Sequence, residues 1–327
     1  MELSRTINSD KRYYLDENTI ENAASFLQTM RVFNDAKIDL YNALYDQKYL
    51  ASGPLIDHAY PVFLKEKYKT NDYYNAAVYS AASGSISSQK ELKKYYSTTI
   101  TADLKTRDEK IQTIQEALDK KKAVKNSIRI YRKDGRWVTP YPRCQLKVKG
   151  LTIVLFNKTI VKLDEYERSV EADIRKLKTR LALVTEARKR KEKKLENIKN
   201  LPPERIVFGG KKLYSEKDTV GITKSAEDNK TSQKALKEWK QEFFEKRHQS
   251  MALPGRHTSK YGNFLCKYDG KDLSVTCIDG TTTVFHDFKL PRYNEAFQNN
   301  FTCKPEDRQT ICYNFTVKRD RKNRQYI

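Results

Sequence analysis

Basic side chains are concentrated between residues 174 and 200, where eleven lysines and arginines are opposed by only three glutamates. Ion pairs between residues four positions apart on a helix cannot neutralise an excess of this size. A phosphate backbone is the usual partner of such a segment, although a merely solvated helix face is the alternative. The candidate phosphate contacts in this segment are Arg175, Lys178, Arg188, Lys189, Arg190, Lys193 and Lys194.

A second basic group follows two glycines in Gly209-Gly210-Lys211-Lys212. The spacing does not fit a nucleotide-hydrolysing loop, because the first glycine of that motif is missing and Lys212 is followed by leucine. A glycine turn after a strand can instead bring backbone N–H groups and two lysines close to a phosphate. We therefore add Lys211 and Lys212 to the candidate nucleic-acid contacts.

The sequence contains no arrangement of residues that predicts catalysis. Asp279 follows a strand, but a hairpin turn with Gly280 explains it, and two-metal nucleases need several converging carboxylates. The four histidines are scattered, and the five cysteines form no Cys-x-x-Cys pair suited to zinc. We expect no catalytic residue, no metal, no cofactor and no small-molecule substrate.

The chain as a whole is strongly basic, with 64 Lys+Arg against 42 Asp+Glu and a formal net charge of +22. Its uneven spread favours a polyanionic partner over a surface that is basic only for solubility. No apolar run reaches membrane-spanning length, and the odd number of cysteines suits a reducing compartment. We therefore expect a cytoplasmic protein with no membrane partner.

Apolar residues recur at helical spacing through much of the first 200 residues of the 327-residue chain. Asp16 is predicted to cap a helix that Thr19 and Ile20 open. A later helix is predicted to pause at Ser83-Gly84-Ser85 and then to continue until Gly135 ends it.

A second long helix is predicted from Asp164 to Asn200, with apolar residues at heptad-like spacing. Between the two long helices, the alternation changes to that of strands, and two strands joined at Gly150 are predicted. We expect the helices to pair as an antiparallel hairpin with this β-ribbon at its tip.

Strand and turn signals dominate after Pro202-Pro203. Asp269-Gly270 and Asp279-Gly280 both stand between alternating runs, which predicts two β-hairpins. This half of the chain is predicted to form a small antiparallel barrel.

The predicted fold class is α+β, in three parts. Residues 1–15 supply a short strand to the barrel, and residues 16–200 form a lobe of long helices with a β-ribbon insertion at 136–163. Residues 201–327 form the small antiparallel β-barrel, with a helix near 229–250.

Three short motifs carry a resemblance to a known family: Ile206-Val207-Phe208-Gly209-Gly210-Lys211-Lys212, Leu253-Pro254-Gly255-Arg256 and Lys260-Tyr261-Gly262-Asn263-Phe264. They resemble the TnpB family of transposon-encoded RNA-guided nucleases, which are relatives of type V CRISPR effectors. The similarity extends to the helix with Trp239, to the strand Tyr313–Lys318 and more loosely to Ser87-Ser88-Gln89, and so covers most of the chain.

The resemblance implies a helical recognition lobe and a wedge-like barrel domain, which together hold a guide RNA and its heteroduplex with target DNA. A RuvC-like nuclease domain with a zinc ribbon would follow Ile327, and its motifs do not occur in this sequence. On this interpretation Arg256 and Lys260 are phosphate contacts and Tyr261 is a stacking surface. Guide RNA and DNA are the predicted partners of a TnpB-like protein without its nuclease domain.

Three alternatives stay open. The chain could be the N-terminal fragment of an active RNA-guided endonuclease encoded by a transposon, or a nuclease whose acids are not recognised. It could also be a basic helical scaffold that binds partners through Leu177, Leu181 and Val184.

Overall fold

The structure is a computed structural model that describes residues 11–15, 19–52, 59–220, 226–288, 299–320 and 324–327. The fold is α+β, with long helices and small antiparallel sheets. It divides into two compact units, which we call the mixed unit (Met1–Gln89 and Glu204–Ile327) and the helical unit (Lys90–Pro203).

The helices are α1 (Ala23–Tyr45), α2 (Tyr60–Tyr68), α3 (Asp72–Asp134), α4 (Leu163–Asn200), α5 (Lys211–Ser215) and α6 (Ala226–Arg247), and a π-helical segment (Asp46–Leu50) follows α1. The strands are β1 (Ile20–Glu21), β2 (Lys147–Lys149), β3 (Thr152–Val154), β4 (Ile160–Lys162), β5 (Ser250–Leu253), β6 (Cys266–Tyr268), β7 (Leu273–Thr276), β8 (Thr282–Phe285), β9 (Tyr313–Thr316), β10 (Lys318–Arg319) and β11 (Gln325–Tyr326).

The sheets of the mixed unit are open. Their strand orders are β1-β8-β7-β6, β5-β9 and β10-β11, and every pairing is antiparallel. The end strands β1 and β6 do not pair with each other, so among the described residues no sheet closes into the predicted barrel. The described strands of this unit are only two to four residues long and are divided among three separate sheets.

Aromatic side chains form much of the core of the mixed unit. The buried face of α1 carries Phe26, Met30 and Phe33 at helical spacing. The ring of Phe26 meets those of Phe285 on β8 and Phe315 on β9 edge-on, with centroids 5.2 and 5.0 Å apart. These contacts fix α1 against two separate sheets, because each aromatic ring buries a large apolar area.

The first helix begins later than the sequence predicted. Ile20 is a strand residue, paired with Phe285 of β8 and buried in the core of the mixed unit, so the prediction that Thr19 and Ile20 open a helix is wrong. Asn22 adopts a left-handed conformation (φ 56°), which turns the chain from β1 into the helix at Ala23. Asp16 and residues 1–10 of the strand predicted within residues 1–15 lie outside the described residues. In the described part of that segment, Tyr14 forms an isolated antiparallel bridge with Tyr326 of β11.

Helix α3 is continuous where a pause was predicted. The hydroxyls of Ser83 and Ser85 donate to the carbonyl oxygens four residues earlier, at 2.7 and 2.8 Å, so these serines do not interrupt the helix. The helix continues through Gly84 because one of its faces packs in the core of the mixed unit. This face is formed by Tyr74, Ala77, Val78, Ala82 and Ile86. Gly135, with φ 67°, follows the end of the helix as predicted.

The predicted antiparallel pairing of α3 and α4 is observed in the helical unit. Lys121 lies 2.7 Å from Asp173, and Lys125 lies 2.7 Å from Glu171. Because the residue number rises along α3 where it falls along α4, the two helices are antiparallel. The core between them is formed by Leu118, Val124, Ile128, Val170 and Ile174.

The β-ribbon between α3 and α4 has three strands rather than the predicted two. β2 and β3 are joined at Gly150 (φ 56°), as predicted, and β4 pairs with β3 on its other side. The third strand was missed because Ile160–Lys162 lies directly before α4 and looks like an approach to that helix. Ile153, on the central strand, is fully buried in the core of the helical unit.

The two Asp-Gly hairpins are observed, with Gly270 (φ 101°) between β6 and β7 and Gly280 (φ 85°) between β7 and β8. The Asp279 carboxylate accepts from the backbone N–H of Thr281 at 2.9 Å. Its position therefore follows from the turn.

Candidate nucleic-acid interface

Two basic residues of α4 form ion pairs with α3, within the helical hairpin. Arg188 and Lys191 continue the heptad seam of α4, where apolar residues would be expected. Arg188 forms ion pairs with Asp108 of α3 and with Glu192, and Lys191 lies 3.1 Å from Asp103 of α3. Arg188 is therefore committed to contacts within the protein.

The same ion pairs shift the titration of their members. The hydrogen bond from Lys191 lowers the pKa of Asp103, and the hydrogen bond to Asp108 raises the pKa of Arg188. Each shift favours the charged form, so the pairing of α3 with α4 is partly electrostatic.

Most of the remaining positive charge on α4 has no partner among the described residues. Of the eleven lysines and arginines between residues 174 and 200, three form ion pairs with described residues: Arg188, Lys191 and Arg190. Arg190 lies 3.3 Å from Glu186. The other eight are exposed and have no carboxylate within 4.0 Å in the described part of the chain: Arg175, Lys176, Lys178, Arg180, Lys189, Lys193, Lys194 and Lys199. Five of the seven predicted contacts on α4 are thus available to an external anion.

A shallow groove of about 370 Å³ between α3 and α4 gathers four cations around one carboxylate. Its lining is Lys122, Lys125, Glu171, Ile174, Arg175 and Lys178. The hydrogen bond from Lys125 lowers the pKa of Glu171, which stays charged and neutralises only part of the group. Sequence analysis missed Lys122 and Lys125, although Lys120-Lys121-Lys122 and the antiparallel pairing together point to them.

The two lysines of the glycine turn differ in their surroundings. Lys211 donates to both carboxylate oxygens of Glu204, at 2.6 and 2.8 Å, whereas Lys212 is exposed. No strand precedes them, contrary to the prediction: the N–H of Ile206 donates to the hydroxyl of Tyr41 at 3.0 Å, and the Phe208 ring packs edge-on against Tyr41, with centroids 5.1 Å apart. The Gly210 N–H donates to the carbonyl of Val207 at 3.1 Å and is not presented to a ligand.

Two of the three motifs that carry the family resemblance, Leu253–Arg256 and Lys260–Phe264, form a pair of hydrogen-bonded loops around Asn263, which is only 1% exposed. Its amide nitrogen donates to three carbonyl oxygens, those of Leu253 (3.1 Å), Pro254 (3.2 Å) and Ile311 (3.1 Å). Its amide oxygen accepts from the N–H groups of Leu265 (2.9 Å) and Cys266 (3.1 Å). One side chain therefore satisfies five backbone groups that would otherwise lack these partners.

Two glycines of these motifs are required by close backbone contacts. A Cβ atom on Gly255 would lie 2.3 Å from the backbone nitrogen of Ile311. A Cβ atom on Gly262, whose φ is 68°, would lie 2.7 Å from the carbonyl oxygen of Gln309. Both glycines allow the loops to approach the segment before β9.

The predicted contacts Arg256, Lys260 and Tyr261 belong to the same loops. Arg256 and Lys260 are exposed, and Lys260 places its ammonium 5.6 Å from the centre of the Phe301 ring. Tyr261 is half-buried and contacts Phe301 edge-on, with centroids 5.3 Å apart, so part of its ring is already covered. The structure brings these three residues together in the mixed unit, whereas the α4 residues belong to the helical unit.

Within the described residues, no group of three or more His, Cys, Asp or Glu side chains is placed to hold a metal ion. None of the described helices is long and apolar enough to cross a membrane. No family model, no curated protein and no solved structure matches the chain. A functional assignment therefore depends on the residues themselves.

Proposed function

We propose that the chain binds nucleic acid through the exposed basic face of α4, together with the groove between α3 and α4. The observation that carries this proposal is the set of eight exposed cations on α4 that lack a carboxylate partner in the described part of the chain. Residues rise about 1.5 Å along a helix, and double-stranded DNA carries one charge per roughly 1.7 Å of its axis. A phosphate backbone can therefore offer counter-charges along much of α4.

The more specific form of the proposal is guide-RNA-dependent recognition of DNA by a TnpB-like protein lacking its nuclease domain. It is supported by the motifs around Gly209, Gly255 and Asn263, which resemble that family. In this form the helical unit belongs to a recognition lobe, and residues 201–327 serve as a wedge-like domain in the cytoplasm. Lys211, Lys212, Arg256, Lys260 and Tyr261 would then contact the guide RNA or its heteroduplex with DNA.

The test is to sequence the RNA that co-purifies with the full chain at moderate salt. A single discrete, structured RNA species supports guide-RNA binding. A random mixture of cellular RNA contradicts the specific form and supports only general nucleic-acid binding. Absence of nucleic acid, together with no binding of added RNA or DNA, contradicts both forms.

The alternative of an active endonuclease is tested separately. Reading the DNA beyond the codon for Ile327 shows whether an open frame with the three acids and zinc cysteines follows. If it does, the chain is the N-terminal part of an RNA-guided nuclease rather than a nuclease-deficient protein. Cleavage by the purified chain with its RNA and Mg²⁺ or Mn²⁺ would instead support a nuclease with unrecognised acids.

The scaffold alternative is weakened by the position of its binding residues. Leu177 and Leu181 pack against the core between α3 and α4, where they help to hold the hairpin. They are therefore not free to form a partner-binding stripe. Association with a protein partner that is insensitive to salt would nevertheless favour the scaffold.

A further inference from the structure

The three-stranded ribbon of the helical unit has two different faces. Val148, Ile153 and Val161 form one cross-strand row, and this row packs against the core between α3 and α4. Because side chains alternate along a strand, the flanking rows point to the opposite face. The row nearer the end of the ribbon is Lys147, Val154 and Ile160, and the row nearer the helices is Lys149, Thr152 and Lys162.

Charge on the ribbon segment is of one sign only. Residues 135–162 contain no aspartate or glutamate and six basic residues: Arg136, Arg143, Lys147, Lys149, Lys158 and Lys162. All six side chains are exposed, and none has a carboxylate within 4.0 Å among the described residues. Lys149 and Lys162 lie two strands apart on one row, roughly 10 Å from each other by the usual strand spacing.

The end of the ribbon exposes an aromatic side chain on an ordered turn. Between β3 and β4, the N–H of Leu155 donates to the carbonyl of Thr159 at 2.9 Å, and the N–H of Lys158 donates back to Leu155 at 3.0 Å. This turn leaves the Phe156 side chain 78% exposed, and Ile160 beside it is 67% exposed. Single exposed apolar residues are common, but here two stand together among lysines on a protruding turn.

We propose that the outer face of the ribbon binds duplex DNA, with its lysines at phosphates and Phe156 inserted between neighbouring base pairs. The inference deepens the proposed function and rests on it. DNA-binding proteins use apolar wedges of this kind to unstack base steps from the minor groove, while lysine and arginine neutralise the backbone. Duplex RNA is the less suitable ligand, because its recognition depends mainly on groove shape and 2′-hydroxyl contacts.

The experiment measures unstacking and affinity separately, with the full chain and a 30-base-pair DNA duplex carrying 2-aminopurine at a flexible TA step. The wild-type chain is expected to raise the 2-aminopurine fluorescence on binding. Phe156→Ala should abolish that rise and weaken binding several-fold, whereas Phe156→Leu should retain much of both. Val62→Ala is the matched control, because Val62 is 58% exposed on α2 of the mixed unit and should leave both readouts unchanged.

A second variant tests the lysines. Lys149→Ala with Lys162→Ala should lower the slope of log affinity against log salt by about two, if each lysine neutralises one phosphate. A fluorescence rise that survives Phe156→Ala, or a slope that the double variant does not change, would overturn the ribbon proposal. Suppose that the wild-type chain binds DNA with a steep salt dependence, and that both ribbon variants show the same affinity, slope and fluorescence. The ribbon proposal then fails, and the proposed nucleic-acid binding through α4 is unaffected. If the wild-type chain binds no nucleic acid, the proposed function fails as well.

Two further ligands test the commitment to DNA. The first is an RNA duplex of the same sequence. Equal affinity for this duplex, with the same Phe156-dependent rise in fluorescence, would overturn the assignment of DNA as the ligand. Phosphatidylserine vesicles that bind the wild-type chain but not Phe156→Ala, with no effect of that substitution on DNA, would assign the ribbon to a membrane surface instead.

Discussion

The basic face of α4 and the loops around Asn263 are both rich in residues that suggest function, yet the structure uses them in opposite ways. On α4, Lys189, Lys193 and Lys194 are exposed and have no carboxylate partner among the described residues. In the loops, Asn263 and Gly255 are occupied by contacts with the neighbouring backbone. Residues that lack partners within the protein are available to a ligand, whereas residues of the motif hold the fold in place.

Two independent observations support the proposed function: the exposed positive charge on α4 and the family resemblance of the loops. The proposal of nucleic-acid binding rests on the charge and exposure of α4, and it does not depend on the family resemblance. The resemblance rests on motifs whose residues mainly hold the loops of the mixed unit together in this chain. It is therefore evidence about the fold of that unit rather than about what the chain binds.

Asn263→Ala should destabilise the mixed unit by at least about 3 kcal/mol, because it removes five hydrogen bonds and leaves buried backbone groups unsatisfied. The measurement is urea unfolding of the full chain in a Trp137→Phe background, where Trp239 reports only the mixed unit. Asn197→Ala, on the exposed side of α4, is the control and should be nearly neutral. A loss below about 1 kcal/mol would mean that these loops are not held as described.

Replacing Lys189, Lys193 and Lys194 together by alanine should weaken nucleic-acid binding by about 2 kcal/mol, or roughly thirtyfold. This follows if six to ten contacts share a non-specific affinity in the micromolar to sub-millimolar range. Arg188→Gln is the matched comparison, since its guanidinium is already paired with Asp108, and it should change affinity by less than about threefold. Equal losses in the two variants would contradict the distinction between free and paired cations.

The contrast also applies to glycines. Gly84→Ala should stabilise the chain by about 0.5 to 1 kcal/mol, because Gly84 lies within α3 and a Cβ atom there meets nothing within 4 Å. Gly255→Ala should destabilise it, since its Cβ would collide with backbone atoms near Ile311. Thermal unfolding of both variants provides the measurement, and a destabilised Gly84→Ala chain would indicate that α3 does bend at this glycine.

The mixed unit should lose stability as pH rises above about 6.5, and the ion pairs of the helical unit do not share this loss. In the helical unit the pKa values of Asp103 and Glu171 are lowered by Lys191 and Lys125. The stability from these pairs is present above the ordinary carboxyl pKa near 4 and is lost as pH falls through the lowered values. In the mixed unit the pKa of His286 is raised by Glu21 and Asp272, so its contribution is present below about pH 6.5 and is lost as pH rises through the raised value.

Urea unfolding between pH 3 and pH 8 measures both effects, with Trp137 reporting the helical unit and Trp239 the mixed unit in single-tryptophan variants. His286→Asn should remove the decline of the mixed unit above pH 6.5 and leave the helical unit unchanged. Stability of the mixed unit that is independent of pH from 6 to 8 in the wild-type chain would contradict the assignment of His286.

The sequence predicted the features that depend on local chemistry. Helix α4, the stop at Gly135 and the hairpins at Gly270 and Gly280 follow from apolar spacing and from glycine conformations that neighbouring residues do not alter. The pause at Gly84 was predicted wrongly because packing of α3 in the core outweighs a glycine's weak preference, and this packing is not visible locally. The pairing of Ile20 with Phe285 spans most of the chain and could not be read from either segment.

The candidate site was predictable in part for the same reason. An excess of cations on α4 is visible in the sequence, but the seam residues that form ion pairs with α3 are identified only by the register of the hairpin. The register likewise places Lys122 and Lys125 beside Arg175. Asn263 was recognised as part of a motif, and only the loop structure shows that its amide holds three segments together.

The salt dependence of binding shows whether the lysines of α4 contact phosphates. Affinity of the full chain for a DNA or RNA duplex is measured from 50 to 300 mM salt for the wild type and for Lys189→Ala/Lys193→Ala/Lys194→Ala. A charge-matched control replaces Lys267, Lys271 and Lys318, which are exposed in the mixed unit. If α4 binds the nucleic acid, the α4 variant lowers the slope of log affinity against log salt by about three, while the control keeps the wild-type slope. Equal slopes for the α4 variant and the wild type would show that α4 is not the nucleic-acid-binding surface.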